Sequence, residues 1–328
     1  MTNQVVTKFG FHASHELYSP RDLLRHVQLA EQAGFELAMC SDHFHPWTPA
    51  QGNSGYSFAW LGAALQATSL PMGTICCPFA RYHPAIVAQA GATLAQMFPG
   101  RFWLALGTGE ALNEAITGQP WPPKETLRVK VEESAKVIRA LWAGETVTHH
   151  GQITVHNAKL YTRGDSPPLL FGAATSPQTA EWVASWADGL LTVNGDQQSM
   201  RETVQAFRSA GGEHKPIYLQ VMLGYDTHEE RAWNDACRRW PISALDQGEL
   251  QNIATPEEFA RRTAQVRPDD LKSKLRVSTD LRQHVEWIQA DLELGLEAIF
   301  FYTISGTQEQ FIDAYAEHVL PAVRAHSA

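Results

Sequence analysis

Apolar and polar positions along this chain follow two alternating periods. Short apolar runs rich in β-forming residues occupy 9–13, 37–41, 72–76, 102–107, 169–173, 189–193, 217–223 and 298–303, and predict eight strands. The intervening stretches carry the helical period. In 20–33, Leu23, Leu24, Val27, Leu29 and Ala30 form one apolar stripe, opened by Ser19-Pro20 and closed by Gly34. Residues 84–97 read the same way and stop at Pro99-Gly100. Eight strands with helices between them predict an α/β fold, a (β/α)8 TIM barrel forming one domain over 1–328. An open doubly wound sheet would need a Gly-rich phosphate turn after its first strand, and Phe9-Gly10-Phe11-His12-Ala13-Ser14 has none. Two insertions, about 110–168 and 226–297, are expected over the C-terminal mouth. The first holds a helix near 124–142 and a hairpin about His150-Gly151, and the second contains Pro241, Pro256 and Pro268.

Composition narrows the class. The 328 residues are 44% hydrophobic, enough for one large core, and the net charge of −9 argues against nucleic-acid binding. No apolar run approaches the roughly 20 residues of a membrane span, and the start, Met1 to Lys8, lacks the regions of a signal peptide. Cysteines at 40, 76, 77 and 237 have no metal-ligand spacing, so free thiols in a reducing cytoplasm are expected.

Two polar crowds follow two of the strands. One is Cys40-Ser41-Asp42-His43-Phe44-His45-Pro46-Trp47, and the other is Gly107-Thr108-Gly109-Glu110-Ala111-Leu112-Asn113-Glu114. Together they predict one shared site. On an extended chain His43 and His45 point the same way, but no third ligand is evident and no metal is expected. His43 then reads as a proton carrier, or as a loop histidine that only hydrogen-bonds its surroundings. Glu110, next to two glycines, reads as an acid raised by partial burial, with Asn113 as an amide contact; service to a helix dipole is the alternative. Ala173-Ala174-Thr175-Ser176-Pro177 ends a strand and caps a helix, which suits either a cofactor phosphate or capping alone. Trp47, Trp60, Trp103, Trp121 and Tyr56 include candidates for stacking on a flat ring, with core packing the alternative for each.

These motifs, with Arg81-Tyr82-His83-Pro84, Trp142-Ala143-Gly144-Glu145 and Ala187-Asp188-Gly189, resemble the F420-dependent glucose-6-phosphate dehydrogenases. That group is a branch of the bacterial luciferase-like (LLM) flavin and deazaflavin oxidoreductases. The resemblance implies a barrel, usually dimeric, with hydride transfer at a ring held at the C-terminal mouth. It implies that His43 and Trp47 lie at the reacting centre and that Glu110 handles the proton at the ring. Asp42, Thr108 and Asn113 would contact the cofactor, and Ile75 and Cys76 would form a bulge with a non-prolyl cis peptide behind it. Ala174, Thr175 and Ser176 stand at the cofactor-phosphate position. For the sugar phosphate, the family's first lysine is replaced by Gly195, leaving Arg261 and Lys274 as counterparts of the other two cations. Glucose 6-phosphate is therefore not the expected substrate. Thr175-Ser176 in place of a diglycine, and a segment 73–78 one residue shorter than the family's, tilt the reading from coenzyme F420 toward FMN.

The expected function is thus a cytoplasmic flavin- or deazaflavin-dependent oxidoreductase acting on a small hydroxylated substrate, as a homodimer. Two alternatives remain open: a monooxygenase supplied with reduced FMN by a separate flavin reductase, and a non-catalytic flavin-binding barrel.

Overall fold

The computed structural model describes residues 6–327, so Met1–Val5 of the segment read for a signal peptide lie outside the described residues. Eight parallel strands form the barrel: β1 (Lys8–Ala13), β2 (Leu37–Cys40), β3 (Met72–Cys76), β4 (Phe102–Leu106), β5 (Leu169–Ala173), β6 (Gly189–Val193), β7 (Ile217–Gly224) and β8 (Ala298–Thr303). Each pairs with the next, and β8 returns to β1 with Lys8 opposite Ala298 through Phe11 opposite Phe301, which closes the ring. The eight predicted strands match these eight. Helices on the outside bury one stripe each. Pro20–Gln32, for example, starts at the Ser19 cap, whose side chain accepts from the Asp22 N–H, and buries Leu23, Val27 and Ala30.

Alternation along each strand sends every second side chain inward. Leu37, Met39, Trp103, Ala105, Phe171, Leu191, Ala298 and Phe300 fill the interior, with Ile75 and Tyr218 against them. The Trp103 ring centroid lies 5.4 Å from Phe171, 5.2 Å from Tyr218 and 5.6 Å from Phe300. Gly73 makes room for it: a methyl there would stand 2.1 Å from the indole and 2.5 Å from the Trp103 carbonyl. Since both a packed ring and a paired strand would have to move, Gly73→Ala is expected to cost about 3 kcal/mol of stability, the upper range for overpacking. Urea unfolding tests this, and a loss below about 1 kcal/mol would mean that the barrel floor yields easily.

The second long segment packs against the mouth residues Trp47 and Tyr302, while the helix of the first lies outside the barrel, with Trp142 Nε1 donating to the Ala88 carbonyl. The first contains the helices Ala111–Glu114 and Lys124–Ala143, then the hairpin Val147–His150 with Thr154–Ala158, turning where the Gly151 N–H donates to the Ile153 carbonyl. In the second, Pro241, Pro256 and Pro268 each open a short helical segment, where a missing N–H costs nothing. Trp240, Ile242, Ile253, Phe259 and Leu271 form a second apolar cluster there that also takes in Trp47 and Tyr302. The four cysteines are unpaired. Among the described residues no helix is long and apolar enough to cross a membrane.

Candidate active site

Above the packed interior, the inward positions at the strand ends include His12, Ser41, Ile75, Gly107, Ala173, Val193 and Tyr302. Ile75 and Ala173 flank Gly107 closely: a methyl on Gly107 would meet Ile75 Cδ1 at 3.3 Å and the Ala173 side chain at 3.8 Å. Val193 is 39% exposed, unusual for a barrel-strand valine. The floor of the mouth is therefore apolar on the β3–β6 side.

The polar side is built on β1, β2 and β8. Glu16, fully buried just past β1, accepts from the hydroxyls of Ser14 (2.8 Å) and Ser41 (2.5 Å). Its Oε1 lies 3.5 Å from His43 Nε2. Ser14 Oγ is 2.9 Å from the Tyr302 hydroxyl, and the His12 ring stacks on Tyr302 at 4.4 Å. Burial opposes the charge on Glu16, but His43, the Ser41 hydroxyl and His12 outweigh it and hold the carboxyl below its ordinary value. Burial pushes His12 and His15 down to about 4, so both are neutral near pH 7.

His43 follows β2 and meets the second polar crowd. Asn113 Oδ1 accepts from the N–H groups of Phe44 (2.9 Å) and His45 (3.2 Å), which fixes the amide with Nδ2 toward His43 Nδ1 at 3.1 Å. The His45 carbonyl is also 3.3 Å from that nitrogen. A donor and an acceptor thus both reach Nδ1, so the ring can hold a proton there or give it up. Trp47 sits beside the imidazole, 5.2 Å between centroids, and packs edge-on against Phe259 (5.4 Å) and Trp240 (6.2 Å). Among the described residues, neither the Glu110 carboxylate nor the Thr108 hydroxyl has a hydrogen-bonding partner, and both are partly exposed at the end of β4.

One guanidinium ties these loops together. Arg81 donates to Asp42 Oδ2 (2.8 Å) and to the Asp42 carbonyl (2.9 Å), while its own N–H donates to Glu114 Oε2 (2.8 Å). Asp42 Oδ1 also accepts from Ser57 (2.6 Å) and Tyr82 (2.9 Å). On the far side of the mouth, Ser176 caps Pro177–Ala184 and its hydroxyl meets Thr179 Oγ1 at 3.0 Å, which Arg128 also reaches at 3.0 Å. Among the described residues, Arg128 Nε is buried without a partner, and the N–H groups of Thr175 and Ser176 carry no hydrogen bond. An unsatisfied cation edge and free N–H groups at one helix end make an anion cradle.

The structure thus brings His43, Trp47, Asn113, Glu110 and Thr108 around one mouth. Several expectations change. His45 does not share the direction of His43: the chain turns after Asp42, and His45 Nδ1 meets the Leu112 carbonyl at 2.8 Å. The Ile75–Cys76 bulge and cis peptide are absent. Strand β3 pairs with β4 without a break, from Met72 opposite Phe102 to Cys76 opposite Leu106, and no described peptide bond is cis. Ile75 faces the floor, while Cys76 packs outward toward the helices. Asp42 is buried and spends its acceptors on Arg81, Ser57 and Tyr82. Ala174 is buried and extends the β5 pairing by donating to the Leu191 carbonyl (3.0 Å). The two cations at 261 and 274 do not turn toward His43: Arg261 is 71% exposed and pairs with Glu258, and Lys274 donates to the Ala244 carbonyl (3.0 Å). Glu16, Ser14 and Tyr302 were not anticipated, although Ser14-His15-Glu16 is a polar crowd at a strand end like the other two.

Known proteins carry the same framework. A chain from Beutenbergia cavernae called F420-dependent glucose-6-phosphate dehydrogenase is 35% identical over 97% of this chain and 98% of its own length. One of the same name from Nakamurella multipartita is 33% identical over 97% of each. A solved F420-dependent secondary alcohol dehydrogenase, in complex with an F420-acetone adduct, superposes with a TM-score of 0.89 at 32% identity, covering 97% of this chain and 99% of its own. The F420-dependent tetrahydromethanopterin reductase of Methanopyrus kandleri shares the fold, with a TM-score of 0.75 at 19% identity over 96% and 99%. Residues 1–323 match the profile of the family described as luciferase-like monooxygenase, and with that barrel and that mouth this chain belongs to the luciferase-like family.

Proposed function

We propose that this chain is a deazaflavin-dependent dehydrogenase that moves a hydride between coenzyme F420 and a small, uncharged alcohol. The observation that carries this reading is the His43 imidazole, with Nε2 3.5 Å from the buried Glu16 carboxylate and its rim closed by Trp47.

The residues present fit such a cofactor. The apolar floor of Ile75, Gly107, Ala173 and Val193 suits a flat ring, and the Ser176 cradle with Arg128 suits its phosphate. When bound, the ring supplies a two-electron acceptor for hydride. His43 takes the hydroxyl proton while Asn113 and the His45 carbonyl hold its Nδ1 edge in place, and the Glu16 charge stabilises the cation that forms. Glu110, without a hydrogen-bonding partner among the described residues and beside Gly109, would be the carboxyl group available to the ring. The FMN tilt drawn from Thr175-Ser176 finds no support among the relatives, whose names carry F420.

Two features favour an uncharged substrate over a sugar phosphate. Gly195, Arg261 and Lys274 offer no cation to the mouth, and the wall beyond His43 is Trp47, Trp240 and Phe259. Equilibrium titration of the apo-protein with F420 and with FMN tests the cofactor, and micromolar binding of F420 alone is expected. Reduction of bound F420 by 2-propanol but not by glucose 6-phosphate would then support the substrate class. Binding of FMN alone, with substrate-dependent oxygen uptake, would overturn the proposal in favour of a monooxygenase.

A further inference from the structure

Arg81 serves two carboxylates in a place that water barely reaches. The side chains of Asp42 and Glu114 are 1% and 2% exposed, and that of Arg81 is 9%. The guanidinium favours Asp42, with two hydrogen bonds below 3 Å, and it lies over the Tyr82 ring at 4.5 Å. Glu114 receives the Arg81 backbone N–H, but its Oε1 is 3.6 Å from Arg81 Nε, and among the described residues that nitrogen has no hydrogen-bond partner. Two anions against one cation leave a net negative charge in a buried pocket, which favours keeping one proton. Asp42, with Arg81, Ser57 and Tyr82 donating to it, is the better stabilised anion. The proton belongs to Glu114.

Glu114 is also the carboxyl nearest the loop expected to meet the ring. A methyl on Gly109 would stand 3.2 Å from Glu114 Cγ, so this side chain lies directly under the backbone that carries Thr108 and Glu110. The titratable and charged groups that face it are Arg81, Asp42, Glu110, Cys76 and Cys77.

We propose that Glu114 is a positioning residue that keeps its proton beneath the β4 loop, so that the Asp42–Arg81–Glu114 cluster stays neutral when the ring above it gains negative charge on reduction. The inference rests on the proposed function and adds to it a role for the last residue of the second polar crowd, which the sequence placed there without giving it a part at the ring. Burial, reinforced by Asp42 and Glu110 and opposed by Arg81, raises Glu114 to about 7, consistent with that placement. Ionising Glu114 sets a second negative charge beside Glu110 and beneath the reduced ring. Binding of reduced cofactor and retention of this proton are therefore linked.

The test compares wild type with Glu114→Gln, whose amide imitates the protonated acid. The affinity for reduced F420 is measured by quenching of tryptophan fluorescence at about pH 6 and about pH 8.5, either side of the near-neutral window. Any titration of the cofactor itself is common to both proteins and cancels in the ratio of their Kd values. That ratio is expected to grow about 10-fold toward alkaline pH, the equivalent of one pK unit of linkage. A ratio constant within about 2-fold would overturn the proposal. A readout that needs no cofactor is the infrared pH-difference spectrum of the wild-type apo-protein, which should show a protonated carboxyl C=O band lost near neutral pH. Its absence would overturn the proposal even if the variant failed to fold. If F420 fails to bind at all, the proposed function falls, while the infrared band still reports on Glu114.

Discussion

Replacing His43 by alanine is expected to lower kcat by about 10²- to 10⁴-fold, the usual worth of a positioned proton carrier. The same change should leave the Kd for the cofactor within about 3-fold, because His43 lies on the β1–β2 side of the mouth and the apolar floor lies elsewhere. The expectation follows from the surroundings of the imidazole. Asn113 and the His45 carbonyl serve Nδ1 in either protonation state, while Nε2 faces the buried Glu16 carboxylate. Removing the ring also leaves Asn113 Nδ2 without its partner, so some loosening of the 43–45 turn is expected. His43→Gln separates the two effects, since it keeps a hydrogen-bonding group but cannot carry the proton. Measurement of kcat and of cofactor Kd for both variants checks the assignment. Equal loss of both quantities in the glutamine variant, or loss of neither, would remove His43 from the chemistry.

The barrel was legible because its strands are short apolar runs bounded by glycine and proline, with helical periods between them; even the hairpin at His150-Gly151 declares itself by alternation. The coming together of 40–47 and 107–114 was legible for the same reason, since polar residues at the C-terminal ends of barrel strands share one mouth. Other features had no local sign. Arg81 joins Asp42 and Glu114 across three separate loops, and no spacing along the chain announces a guanidinium shared by two buried acids. His45 could not be oriented without knowing that Asn113 draws the 43–45 backbone into a turn. The Ile75–Cys76 bulge was carried over from the family resemblance, not read from this chain's own residues. In this chain β3 keeps its pairing through to Cys76. Arg261 was matched by position alone, which cannot tell a cation aimed at a ligand from one paired to Glu258 on its own helix.

Two acids at one mouth are driven in opposite directions by surroundings of opposite kind. Glu16 has two hydroxyl donors and His43 close by, and it is held below its ordinary value. Glu114 is buried beside two other acids, which outweighs the cation it shares, and it is raised. The signs of their pH effects on stability differ accordingly. Glu114 contributes stability that is present in acid and lost as pH rises toward about 7. Glu16 contributes stability that is present above the ordinary glutamate range and is lost as pH falls through its depressed value. A site that needs one permanent anion and one retained proton has both, set by the donors around each.

Glu16→Gln should therefore reduce turnover by about 10²-fold, because the imidazolium forming at His43 would lose the charge that stabilises it. The amide keeps the volume and can still accept from Ser14 or Ser41, so the fold should survive. The variant separates charge from packing in a second way. At neutral pH the wild type should be the more stable protein, since its ionised carboxylate is held by two hydroxyls and His43. As pH falls below about 4.5, Glu16 in the unfolded chain takes up a proton that the folded carboxylate binds only at lower pH, and the gap in Tm between the two proteins should close. Thermal unfolding across that range and kcat at neutral pH are the two measurements. A variant with unchanged kcat would mean that Glu16 only packs the end of β1. A Tm gap constant with pH would mean that the side chain is not ionised in the folded protein, and His43 would then have to work without it.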